Sequence, residues 1–105
     1  MTEITPQELS EMIKTDKDMC IIDVRNLDEV EKASFPGAIH IPLPALIKNV
    51  AKIPQDKFVI VLCHHGARSL QACYLLKDRG FDKVVSLRGG IDLWSQLIAP
   101  AIPRY

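Results

Sequence analysis

Two apolar runs dominate the pattern along the chain. Met19-Cys20-Ile21-Ile22-Asp23-Val24 is nearly continuous, and Phe58-Val59-Ile60-Val61-Leu62 is wholly apolar and rich in β-branched residues. Neither alternates as a half-solvated strand would, so both predict strands covered on two faces. Shorter strands are predicted at Ala38-Ile39-His40-Ile41, after the Pro36-Gly37 turn, and at Val84-Val85-Ser86-Leu87, before Gly89-Gly90. Helical spacing fills the intervals. Thr5-Pro6-Gln7-Glu8 reads as a capping box with proline at the first helical position, and Leu9, Met12 and Ile13 continue it as a short helix that ends before Asp16. Further helices are predicted over Leu27–Lys32, Ala45–Val50, Ala67–Arg79 (ended by Gly80) and Ile91–Ile98. The tail, with Pro100 and Pro103, is predicted to be extended.

Strands that alternate with helices imply an α/β fold, with a central, mostly parallel sheet and helices on both faces. The 105 residues suit one domain, 1–105, and leave no room for two. Hydrophobic residues at 48% and charged residues at 25% exclude a disordered or collagen-like chain. Thirteen basic and thirteen acidic residues cancel, which argues against nucleic acid as a partner. The cationic surplus lies in the second half, where residues 53–105 carry seven bases and four acids. The longest apolar run, Phe58 to Cys63, is six residues, far short of the roughly twenty of a membrane span. No signal-peptide pattern opens the chain, and three cysteines make no disulfide framework, so a cytoplasmic location is expected.

Candidate chemistry gathers where the strongest strand ends. In open parallel sheets, ligands bind at the carboxyl ends of strands. There the chain reads Cys63-His64-His65-Gly66-Ala67-Arg68-Ser69, leading into a helix. A side chain in this position faces the free amides of the helix's first turn. Thiolates are favoured by helix N-termini and neighbouring cations, and Arg68 supplies a cation. Gly66 lets the loop curl so that its amides converge on one atom. Cys63 is therefore the candidate nucleophile. Cys20 and Cys73 read as small core residues, and a Cys63–Cys73 disulfide is out of reach. His64 and His65 are adjacent to Cys63 and lack a second ligand pair, so no metal site is expected. His40 reads as a satisfied, partly buried histidine, and Phe81 and Trp94 as core.

The loop resembles the active-site loop of single-domain rhodanese-like sulfurtransferases, which often read Cys-x-x-Gly-x-Arg-Ser. Three further blocks follow in order. Ile22-Asp23-Val24-Arg25 with Glu29 is similar to the family's Asp-Val-Arg strand, Phe35-Pro36-Gly37-Ala38-Ile39-His40-Ile41-Pro42 to its Ile-Pro-Gly-Ala stretch, and Leu87-Arg88-Gly89-Gly90 with Trp94 to its Leu-x-Gly-Gly ending. The chain departs from the family at Ala33-Ser34, where Gly-His is common, and at His64-His65, where two-domain thiosulfate enzymes carry Arg and Lys.

The resemblance implies a rhodanese-like domain, with a central sheet of about five strands, and sulfur transfer through a Cys63 persulfide, with thiosulfate or a persulfide as donor. It implies cyanide, a thiol or a protein as acceptor, and no cofactor. The loop residues His64, His65, Gly66, Ala67, Arg68 and Ser69 would bind the substrate. Asp23 and Arg25 would support them, and an Asp23–Arg68 pair is expected to fix the loop. A small-molecule donor and acceptor, or a protein persulfide partner, are the expected partners, with the chain a monomer or homodimer. Two other classes remain open. A phosphatase or arsenate reductase would use a similar loop, but with five residues between Cys and Arg where residues 64–67 make four. A catalytically idle protein-binding module usually lacks the cysteine.

Overall fold

The computed structural model describes residues 2–15 and 17–105; Met1 and Asp16 lie outside the described residues. Five β-branched or large apolar residues in a row place β4 (Phe58–Leu62) at the centre of a sheet. It pairs in parallel with β2 (Met19–Asp23) on one side and β5 (Val84–Leu87) on the other. Two-residue strands close the edges: β1 (Glu3–Ile4) beside β5, and β3 (Ile39–His40) beside β2. The described residues thus form one five-stranded parallel sheet of order β1-β5-β4-β2-β3.

Side-chain alternation along β4 divides the core. Val59, Val61 and Cys63 join Cys20, Ile22 and Val24 under α3 (Ala67–Asp78), which contributes Ala72, Cys73 and Leu76. Ile60 and Leu62 point the other way, against Leu9 of α1 (Pro6–Lys14) and Ile91 and Trp94 of α4 (Gly90–Leu97). Helices cover both faces, as the apolar runs predict. Cys20 and Cys73 are buried in the first core, and burial pushes the Cys73 thiol up to about 12. Phe81 and Trp94 are buried too. Among the described residues no helix is long and apolar enough to cross a membrane.

Local signals explain the helix ends. The capping box forms as written: Thr5 Oγ1 accepts from the Glu8 amide at 3.1 Å, and Glu8 Oε1 accepts from the Thr5 amide at 2.9 Å. The short helix α2 (Leu27–Lys32) follows Asn26.

Three expectations change. β1 was not predicted, because Glu3-Ile4 has neither the flanking apolar residues nor the preceding turn that mark the equally short β3. The helix expected over Ala45–Val50 is instead a pair of 3-10 turns, Leu43–Ala45 and Ile47–Lys52, broken at Asn49 (φ −115°, ψ 16°). There Asn49 Nδ2 donates to the Ala45 carbonyl at 2.7 Å, a local bond that competes with the α-helical ladder. The tail is not extended. Ala99 bonds back to the Trp94 carbonyl and Ile102 to that of Ala99, because Ile98, Ala99 and Ile102 are drawn onto the second core. This turn returns residues 103–105 to the strand ends.

Candidate active site

The α3 helix begins without a capping side chain, because its N-cap is Gly66 at φ +116°. The Cys63 sulfur stands in for it. Sγ accepts from the Gly66 amide at 3.0 Å and from the Ser69 amide at 3.4 Å, two donors that a helix N-terminus leaves unsatisfied. The Ser69 hydroxyl lies 3.5 Å from Sγ. It is fixed by the Gly66 carbonyl at 3.0 Å and by Ser86 of β5 at 2.6 Å, with both serines fully buried. The sulfur thus sits in a nest of donors at the positive end of a helix, an arrangement suited to an anion.

A second helix end holds the loop from outside. The amides of Ile91 and Asp92, in the first turn of α4, donate to the carbonyls of Cys63 (2.8 Å) and His64 (3.2 Å). With both carbonyls turned towards α4, the loop's own amides are free to face the sulfur. Contact is so close that a Cβ on Gly90 would meet the Cys63 and His64 carbonyl oxygens at 2.4 Å. Gly90 is therefore required by packing as well as by its φ of +62°.

The supporting residues pair differently from the expectation. Asp23 does not hold Arg68. It binds Arg25, with Nε at 2.9 Å from Oδ1 and Nη2 at 2.6 Å from Oδ2, and the two are buried together. The reason is reach: both stand at the end of β2, two residues apart, where the Arg25 guanidinium can also donate to the Ala33 carbonyl at 2.6 Å. His40 is part-buried and lies against the Arg25 carbonyl at 2.7 Å. Arg68 instead meets Glu29 of α2 in a two-pronged pair at 2.6 and 2.8 Å. This guanidinium, helped by the Asn26 amide and the Tyr105 hydroxyl, outweighs burial and holds the Glu29 carboxyl down at about 2.

Sequence motifs did not reach Tyr105. Its ring stacks on His64 at 3.9 Å with an interplanar angle of 8°. Its hydroxyl accepts from Arg25 Nη1 and donates to Glu29 Oε2, each at 2.9 Å. A tail containing two prolines gives no periodic signal that could have placed it here. Burial, and then the neighbouring His65, push His64 below the ordinary histidine value, which favours its neutral form. His65 is mostly exposed and lies 3.9 Å from Asp92. The structure therefore brings Gly66 and Ser69 to the Cys63 sulfur, while the His64 ring lies against Tyr105 and His65. Ala67 opens the first turn of α3, Arg68 pairs with Glu29, and Asp23 pairs with Arg25.

Comparison with known proteins shows the family. Residues 5–97 match the family model of the rhodanese-like domain. A sulfurtransferase of Allochromatium vinosum is 32% identical over 102 residues, covering 97% of this chain and 95% of that one. The thiosulfate sulfurtransferase GlpE of Glaesserella parasuis is 33% identical over 93 residues, covering 89% and 85%. Among solved structures, a rhodanese-related protein of Thermoplasma volcanium superposes with a TM-score of 0.86 at 30% identity, over the whole of both chains. The chain belongs to the rhodanese-like domain family, with sulfurtransferases among its relatives.

Proposed function

We propose that the protein is a sulfurtransferase that carries sulfane sulfur on Cys63. The observation that carries this reading is the pair of amides, Gly66 and Ser69, aimed at Sγ. In the first step the Cys63 thiolate attacks the outer sulfur of the donor. With thiosulfate, the new S–S bond forms as the old one breaks, the electron pair leaves with sulfite, and Cys63 holds a persulfide anion. In the second step a nucleophile takes the terminal sulfur: cyanide becomes thiocyanate, and the Cys63 thiolate returns. This is ping-pong covalent catalysis with no cofactor. The donor nest would hold the terminal sulfur's charge in the way an oxyanion hole holds oxygen.

Charge bears on the donor. Arg25 is committed to Asp23 and Arg68 to Glu29, and burial disfavours the charged form of His64. Binding therefore rests on amide dipoles, which suit a singly charged persulfide better than the thiosulfate dianion. A persulfide, small or carried on a protein, is our choice of physiological donor.

Arg68 also weighs against phosphatase chemistry, since it turns to Glu29 and four residues separate it from Cys63. Thiocyanate production from cyanide, with thiosulfate and with a low-molecular-weight persulfide as donors, tests the proposal. Parallel double-reciprocal lines, abolished in Cys63→Ser, and a higher kcat/KM for the persulfide are expected. Intersecting lines, or activity that survives Cys63→Ser, would overturn it.

A further inference from the structure

A chain of contacts links the two shoulders of the Cys63 loop. The His64 ring lies on the Tyr105 ring, the Tyr105 hydroxyl donates to Glu29, and Glu29 grips Arg68. Arg68 precedes Ser69, whose amide and hydroxyl meet the sulfur. Cys63, between these shoulders, is 1% exposed. Of the four linking side chains, His64 and Arg68 belong to the loop and helix start, and Glu29 to α2. Tyr105 alone is carried by the irregular segment after α4, and it is 36% exposed.

Resting on the reading of Cys63 as the reacting nucleophile, we infer that Tyr105 is a specificity-determining residue. It is a hinged cover that admits small sulfur donors and acceptors to Cys63 and delays bulky ones until it swings away. Its hydroxyl sits between charges of opposite sign, accepting from Arg25 and donating to Glu29, so two charge-assisted bonds hold the closed position. The stacked ring adds a further contact. The anchor next to it, Arg104 on Asp92 at 2.9 and 3.2 Å, is exposed and holds little. Opening leaves no buried charge bare. Arg25 keeps Asp23 and the Ala33 carbonyl, and Glu29 keeps Arg68. Tyr105 is thus the member of the bridge that can leave while the ion pairs stand. A persulfide presented on a protein surface would need the open position, whereas a small persulfide would not.

The test compares iodoacetamide with its fluorescein conjugate, two reagents that share one reactive group and differ in bulk. Cys63 labelling rates are read by peptide mass spectrometry in the full chain. Tyr105→Ala is expected to speed the fluorescein reagent at Cys63 by about tenfold, and iodoacetamide by less than about twofold, the scale of a lost charge-assisted hydrogen bond. Tyr105→Phe keeps the ring and loses both bonds of the hydroxyl, and should give a smaller gain with the same preference for bulk. Equal gains for both reagents, no gain, or slower labelling would overturn the cover. Labelling of the buried Cys20 and Cys73 reports an intact fold. If Tyr105→Ala exposes them, the two rates in Tyr105→Phe decide by the same criteria. No sulfur donor is used, so the two ideas fail separately. A Cys63 that resists iodoacetamide in every variant sinks the nucleophile, and one that reacts without regard to bulk sinks the cover.

Discussion

Arg25 is the residue whose surroundings constrain the site most. It is fully buried, and Asp23 neutralises it through a two-pronged pair. Removing the carboxylate leaves an uncompensated buried cation, which typically costs about 3–5 kcal/mol. Asp23→Ala should lose stability on that scale in urea unfolding, while Arg68→Ala should lose less, since Arg68 is itself partly exposed and Glu29 keeps the Asn26 amide and the Tyr105 hydroxyl. Glu29 makes a pH-dependent contribution. Its carboxyl lies at about 2 against an ordinary 4.5, so its ion pair stabilises the fold above pH 4.5. That stabilisation, up to about 3 kcal/mol, is lost as pH falls from about 4.5 to about 2. Unfolding free energies of wild type and Glu29→Gln should therefore differ by a constant amount from pH 7 to pH 5 and converge below it. A difference that persists at pH 2 would contradict the assignment.

At the scale of elements, two helix N-termini build the loop. The first turn of α3 supplies amides to the sulfur, and the first turn of α4 takes up the carbonyls that would otherwise turn inward. Gly90 permits the second contact. Gly90→Ala would drive a Cβ into two backbone oxygens that cannot move aside, at a positive φ. A loss of more than about 2 kcal/mol is expected, with a lower rate of sulfur transfer in the folded fraction. Chemical denaturation and single-turnover kinetics at matched folded fraction would check it. The sequence made most of these elements legible. Apolar runs found β2 and β4, and the capping box found α1, because burial on two faces and orphan amides at a helix start leave local marks. β1 left no mark, since Glu3-Ile4 lacks the turn and flanking apolar residues that exposed the equally short β3. The break at Asn49 depends on one side-chain bond that competes with a helical pattern otherwise intact.

Over the whole molecule, the site was legible where its residues are close in sequence and obscure where they are not. Cys63 through Ser69 could be read as a unit because one strand end and one helix start define it. The exchange of partners among Asp23, Arg25, Glu29 and Arg68 could not, because choosing between two acids and two guanidinium groups requires their positions in space. Tyr105 arrives from 42 positions beyond Cys63 through a turn that tertiary burial creates, and proline content alone pointed the other way.

The central claim is that Cys63 carries sulfur, and intact-mass spectrometry tests it most directly. Reduced protein mixed with excess thiosulfate, or with a small persulfide, should gain about 32 Da, one sulfur atom held covalently on the nucleophile. Cyanide should remove the adduct, and Cys63→Ser should never form it. An unchanged wild-type mass with both donors, or the same gain in Cys63→Ser, would contradict the account.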